Sequence, residues 1–224
     1  MFRTSLRIIC AAACFAAASL PAQAWNQTEQ ARLEAALGNT IVIVPLEAQS
    51  GEPLTQTDTT PDGPLVRNVV CLDTIACKEV AVMAGMGETL RGAPYFLMNI
   101  VELGSVDQFA FYASAANAGF AQTPVSQPAV FYVTGQDGKA LTETHGGIIY
   151  TKFFTDVSQA KEMQTAASQY FGAMELSTIP LAEFIGLVAT GELPNAVLHS
   201  PYRNAWWLSK WQSDNTLPIA TAID

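Results

Sequence analysis

Apolar residues in this chain fall into short runs divided by polar and turn-forming segments, and the period of the runs changes along the sequence. Asn26 with Glu29 three residues on makes an N-cap, and Leu33, Ala36 and Leu37 then form a helical stripe that ends at Gly38. The β-branched run over residues 40–46 predicts a buried strand closing at Pro45. Residues 47–64 hold three prolines and two glycines with no apolar period, so they read as a loop. Residues 65–72 are strand-like, Thr74 caps a predicted helix to Gly85, and the apolar run 95–103 reads as a second strand. Ser105 with Gln108 predicts a capping box for a helix ending near Gly119, with Val106, Phe109, Tyr112, Ala113 and Ala116 on one face.

The same order of signals then returns. Residues 129–134 predict a strand, Gly135-Gln136-Asp137-Gly138 a hairpin turn into 139–142, and residues 148–154 a further strand. Asp156 with Gln159 caps a helix carrying Val157, Ala160, Met163, Ala167 and Phe171 along one side as far as Gly172. A strand over 174–181 and a short helix over 182–190 follow. Laid side by side, residues 41–46 match 130–134, Lys78-Glu79-Val80 matches Lys161-Glu162-Met163, and the segment around Leu103 matches the segment around Leu181. The expected fold is therefore α/β in two pseudo-symmetric half-repeats of mixed strands with packing helices. The first half spans residues 25–122 and the second 123–224, including a Trp-rich C-terminal segment.

Residues 1–24 stand apart from this pattern. Arg3 and Arg7 precede an apolar run over 8–20, and Ala22-Gln23-Ala24 is a small-x-small cleavage signature, so residues 1–24 read as a secretory signal peptide. The run is shorter than the ~20 residues a spanning helix needs, so no integral span is expected after cleavage. Cleavage before Trp25 would remove both arginines and take the formal charge from −9 to −11. A chain this acidic, with no basic stripe, argues against nucleic acid as a partner. The expected location is periplasmic or otherwise exported.

The chemistry-bearing residues are few. Cys71 and Cys77 remain after cleavage, and in an oxidising compartment such a pair reads as a disulfide closing a small loop. Two inert buried thiols and an active thiol are the alternatives. Cys77 falls near the start of the helix capped by Thr74, where the dipole favours a thiolate. His145 and His199 lie far apart on turn-like segments, without a carboxylate motif, and make no metal site. No catalytic residue or cofactor is assigned, because no nucleophile-elbow, phosphate-loop or metalloprotease pattern is present. At the C-terminus, Pro201 opens a short helix with Trp207 and Trp211 four apart and Trp206 beside Lys210. Trp206, Trp207 and Trp211 are the candidate partner-binding residues; covering the edge of the core is their other reading.

The second half also resembles a known family through Pro128-Ala129-Val130-Phe131-Tyr132-Val133-Thr134, Gly138-Lys139-Ala140-Leu141, Phe153-Phe154-Thr155-Asp156-Val157-Ser158-Gln159-Ala160 and Ile179-Pro180-Leu181-Ala182-Glu183-Phe184. It looks like the soluble twenty-two-kilodalton component of the chloroplast inner-envelope translocon and its bacterial relatives. The resemblance covers roughly residues 128–188, and the first half matches only as the fainter repeat. It implies a two-half α/β protein with apolar grooves and no catalytic centre, acting as a chaperone or docking factor in protein translocation or outer-membrane biogenesis. Unfolded precursors or outer-membrane assembly proteins would be its partners. Two readings from other classes stand beside it: a thiol-redox or hydrolytic enzyme using Cys77 or His145, and a small-ligand-binding or secretion-system accessory module with a closed pocket.

Overall fold

A computed structural model describes residues 25–47, 49–61, 63–86, 90–103 and 108–213, without the side chains of Leu90, Leu103 and 211–213. The predicted leader, 1–24, and the Ser105 end of the predicted capping box lie outside the described residues. The first half runs α1 (Gln27–Leu37), β1 (Ile41–Glu47), β2 (Thr55–Thr60), β3 (Gly63–Cys71), α2 (Thr74–Met83), β4 (Leu90–Phe96), α3 (Leu97–Leu103), β5 (Phe109–Tyr112) and α4 (Ala115–Ala121). The second half runs β6 (Ala129–Gly135), β7 (Thr142–His145), β8 (Ile148–Phe154), α5 (Val157–Phe171), β9 (Met174–Pro180), α6 (Leu181–Thr190), β10 (Ala196–His199) and α7 (Tyr202–Ser213).

Each half builds one five-stranded mixed sheet, and the two sheets are wired alike. In the first, β1 pairs antiparallel with β4 from Ile41↔Phe96 to Glu47↔Leu90, and β3 pairs antiparallel with β2 and parallel with β5. In the second, β6 pairs antiparallel with β9 from Ala129↔Pro180 to Gly135↔Met174, and β8 pairs antiparallel with β7 and parallel with β10. The bridge Ile43↔Cys71 corresponds to Phe131↔Phe154, and Leu46↔Pro53 to Thr134↔Ala140. The duplication is thus preserved down to single backbone pairings.

Alternation along the strands sorts side chains between two faces. Val42 and Val44 of β1, with Val130 of β6, face a shared core closed by Leu33 and Leu37 of α1, Leu97 and Ile100 of α3, and Leu181, Phe184 and Ile185 of α6. On the opposite faces, Ile43 packs under α2 and α7, and Phe131 under α5. The helices start where local chemistry satisfies their free N–H groups. Asn26 accepts from Thr28 N and Glu29 N while Glu29 reaches back to Asn26 N, a complete capping box. Asp73, not the expected Thr74, caps α2 through Ala76 N, because Thr74 is already the first helical residue, and Asp156 caps α5 through Ser158 N as expected.

Four further expectations need correction. The 47–64 loop contains β2, whose Thr-rich sequence pairs with β3 although it carries no apolar alternation. The 95–103 strand is the end of β4 followed by α3, so Leu97 rather than Leu103 matches Leu181; Leu97 N donates to Thr40 O as Leu181 N donates to Pro128 O. The helix expected to run to Gly119 gives way to strand β5 and the short helix α4, which Ser114 caps. β10, four residues long, was not anticipated, and it takes His199 out of a turn into a strand end.

Candidate binding groove and the joint between the halves

The two halves are locked by helices that cross over. α4 follows β5 but packs on α5 and β6, and α7 follows β10 but packs on β1 and β4. The β5/β10 register makes Tyr112 equivalent to His199, and the same offset makes Asn117 equivalent to Asn204. Both amides do the same work. Asn204 Nδ2 donates to Leu72 O at 2.8 Å and to Ile41 O at 2.7 Å, and Asn117 Nδ2 donates to the equivalent Thr155 O at 3.0 Å. Asn117 Oδ1 also accepts from Val157 N. Arg203 lies between the two equivalent caps, 2.6 Å from Asp156 Oδ2 and 3.4 Å from Asp73 Oδ2. Burial raises the Asp73 carboxyl above its ordinary range, and the charge of Arg203 opposes that rise.

On the outer face of the second sheet, a cleft of about 380 Å³ opens between α5 and the β6–β8 strands. Val133, Leu141, Phe154, Met163, Ala166 and Ala167 form its apolar floor and walls. The small alanines leave room that a larger residue on α5 would fill. Tyr170 and Phe171, at the helix end, form its rim with 81% and 71% of their surface exposed. Ile148 and Ile149, which follow the turn at Gly146 and Gly147, add exposed apolar surface on β8. Lys152 pairs with Glu143 at the cleft, and that hydrogen bond, then the lysine charge, holds the Glu143 carboxyl below its ordinary range. A second cleft of about 420 Å³, between α1 and the α6–β10 connection, is more polar, and Arg32 donates to Ala189 O across it.

The residues singled out from sequence end up apart. Trp207 is a core residue: it is buried, and its Nε1 donates to Gly92 O at 2.9 Å, which removes it from the partner-binding set. Burial is its role because α7 must fill the first sheet's outer face, as Phe120 does, less deeply, at the equivalent place over Phe131. Trp206 is about half exposed, with Lys210 Nζ 5.7 Å from its ring centre. The Trp211 side chain lies outside the described residues. Cys71 and Cys77 stand as free thiols, both fully buried. Burial, then hydrogen bonding to Cys71, pushes the Cys77 thiol well up, the opposite of what a nucleophile at a helix start requires. His145 is exposed on the β7 strand opposite Ile148 and is not brought to Cys77.

His199 stacks on Phe154, 5.6 Å between ring centres, and its Nε2 is buried without a hydrogen-bond partner. Burial, then the charge of Lys152, lowers its pKa from 6.5, while Glu143 opposes the shift. The folded state therefore binds this proton less readily than the unfolded chain, so stability present above pH ~6.5 is lost as pH falls toward the folded-state value. Urea unfolding at pH 7.5 and 5.5 is expected to show that loss, below the one-proton limit of about 1.4 kcal/mol per pH unit. The His199→Leu variant should lack it, and an unchanged pH slope in that variant would rule out this residue as its source.

No protein-family model matches the chain, and no curated protein matches its sequence. Solved structures do match. The Anabaena Tic22 structure, described as protein transport, superposes with a TM-score of 0.59 at 12% identity, covering 82% of this chain and 96% of that one. Tic22 from Plasmodium falciparum gives a TM-score of 0.55 at 12% identity, covering 82% and 97%. The fold is Tic22-like over nearly the whole length of both neighbours. Among the described residues, no helix is long and apolar enough to cross a membrane.

Proposed function

We propose that this protein is an exported, non-enzymatic factor in protein transport, which holds apolar stretches of unfolded precursor or outer-membrane assembly proteins in the cleft beside α5. The observation that carries the reading is the open apolar cleft with Tyr170 and Phe171 on its rim. Exposed aromatics of this size are favoured at binding surfaces because they bury much area at little entropic cost. The likeness to a protein described as protein transport supports the same class, and the leader signature supports a periplasmic or otherwise exported location. A cleft whose rim is this exposed suits a chain segment better than a small enclosed ligand. Buried Cys77 argues against the thiol-enzyme alternative.

An unfolded outer-membrane β-barrel precursor, diluted from urea, provides the test. The wild-type protein is expected to suppress its aggregation, measured by light scattering, and Tyr170→Ser/Phe171→Ser to lose at least about tenfold in potency. Equal protection by the two proteins, or none from the wild type, would overturn the assignment of the cleft. Cell fractionation with a tagged chain tests the location separately.

A further inference from the structure

We infer that Cys71 and Cys77 are a built-in disulfide site on the joint between the halves, oxidised while the chain folds and sealed from thiol chemistry afterwards. This rests on observations independent of the cleft. Cys71 ends β3, where it pairs with Tyr112 of β5 and Ile43 of β1, and Cys77 lies in the first turns of α2. Both side chains are fully buried in one small core cluster, and Cys77 Sγ lies 3.9 Å from the carbonyl oxygen of Ile43, the residue opposite Cys71 on β1. At the equivalent places in the second half, six residues apart in the same way, stand Phe154 and Ala160, also buried and packed together. The first half thus puts two sulfurs where its twin uses ring-on-methyl packing, and its α2 is shorter than α5.

The segment such a bond would enclose contains the joint itself. Leu72 O accepts from Asn204, and Asp73 caps α2 while facing Asn117 and Arg203. Closing the ring would hold that carbonyl and that carboxylate in place before α4 and α7 cross over to meet them. The chemistry is exchange with a small disulfide. One cysteine thiolate attacks the donor disulfide and releases one donor thiol, and the second cysteine then displaces the other. Two protein thiols and one disulfide give one protein disulfide and two donor thiols. Neither sulfur is reachable in the folded dithiol, so the exchange belongs to the open chain.

Trypsin makes the test direct, because cleavage after Arg67 and Lys78 leaves both cysteines in the single peptide 68–78. The full chain is reduced, unfolded and refolded with glutathione disulfide either present from the start or added after folding. Each sample is then denatured in a maleimide and digested. Folding in the oxidant should return peptide 68–78 unlabelled and about 2 Da lighter than the dithiol form. Oxidant added after folding should leave two labels on it, until urea opens the protein. Two labels, or a glutathione adduct, on the peptide refolded in oxidant would overturn the site. Rapid bridging of the already folded dithiol would overturn the sealing.

Discussion

Trp207→Ala is expected to destabilise the protein by about 3–5 kcal/mol, the range for removing a large buried aromatic. The indole fills the space between α7 and the first sheet, beside Ile43, Val80 and Cys77, and its truncation leaves a cavity that strands β1 and β4 cannot close without breaking register. It also leaves the Gly92 carbonyl without its donor. Trp207→Phe separates the two contributions, since it restores much of the volume and none of the hydrogen bond. It should fall between wild type and the alanine variant in urea unfolding. A near-wild-type midpoint for Trp207→Ala would mean that α7 is not a structural helix.

Arg203→Met is expected to cost about 3–5 kcal/mol at neutral pH, because it strips the partner from two buried carboxylates while keeping most of the side-chain volume. The pH dependence carries the diagnosis. Asp73 already sits above its ordinary pKa because of burial, and losing Arg203 raises it further. A carboxyl raised in the folded state binds its proton more readily there than in the unfolded chain. The deficit of Arg203→Met should therefore shrink as pH falls from 7 toward 3.8, the ordinary Asp value, where both states become protonated. A deficit that stays constant over that range would assign the loss to packing rather than to unpaired charge.

Much of the duplicated frame was legible because it rests on short-range chemistry. The Asn26–Glu29 capping box, the Asp156 cap and the glycine stop at Gly172 are set by backbone groups within four residues, and the match of Lys78 to Lys161 falls in the register that the sheets impose. Where reading failed, two periods fitted the same residues. In the run 95–103 only Asn99 and Glu102 interrupt the apolar residues, and both lie beyond Leu97, so nothing local marks the change from strand to helix there. Phe109 and Tyr112 suit a helical face by spacing, yet they belong to a strand fixed by pairing with distant Asn68 and Cys71. β2 is stabilised by its partner, not by its own apolar residues.

The joint was the larger omission, although a signal for it existed. Asn117-Ala118-Gly119-Phe120 and Asn204-Ala205-Trp206-Trp207 share an Asn-Ala-x-aromatic pattern after equivalent strands. Extending the repeat through this pattern would have paired Phe120 with Trp207, and so marked Trp207 as core. The cleft was beyond sequence reading, because it depends on what α5 leaves uncovered when it docks.

The crossing of α4 and α7 bears on how such a molecule could arise and how it comes apart. A lone ancestral half would have had one uncovered sheet face and one terminal helix with nothing to lie on, and two copies could satisfy both needs by trading helices. The present chain has the wiring of such an exchange, with both trading units joined in one polypeptide. Each half's outer sheet face is covered by the other half's helix, so loss of either helix uncovers the opposite core, and the halves are expected to melt as a single cooperative unit rather than as two beads on a string.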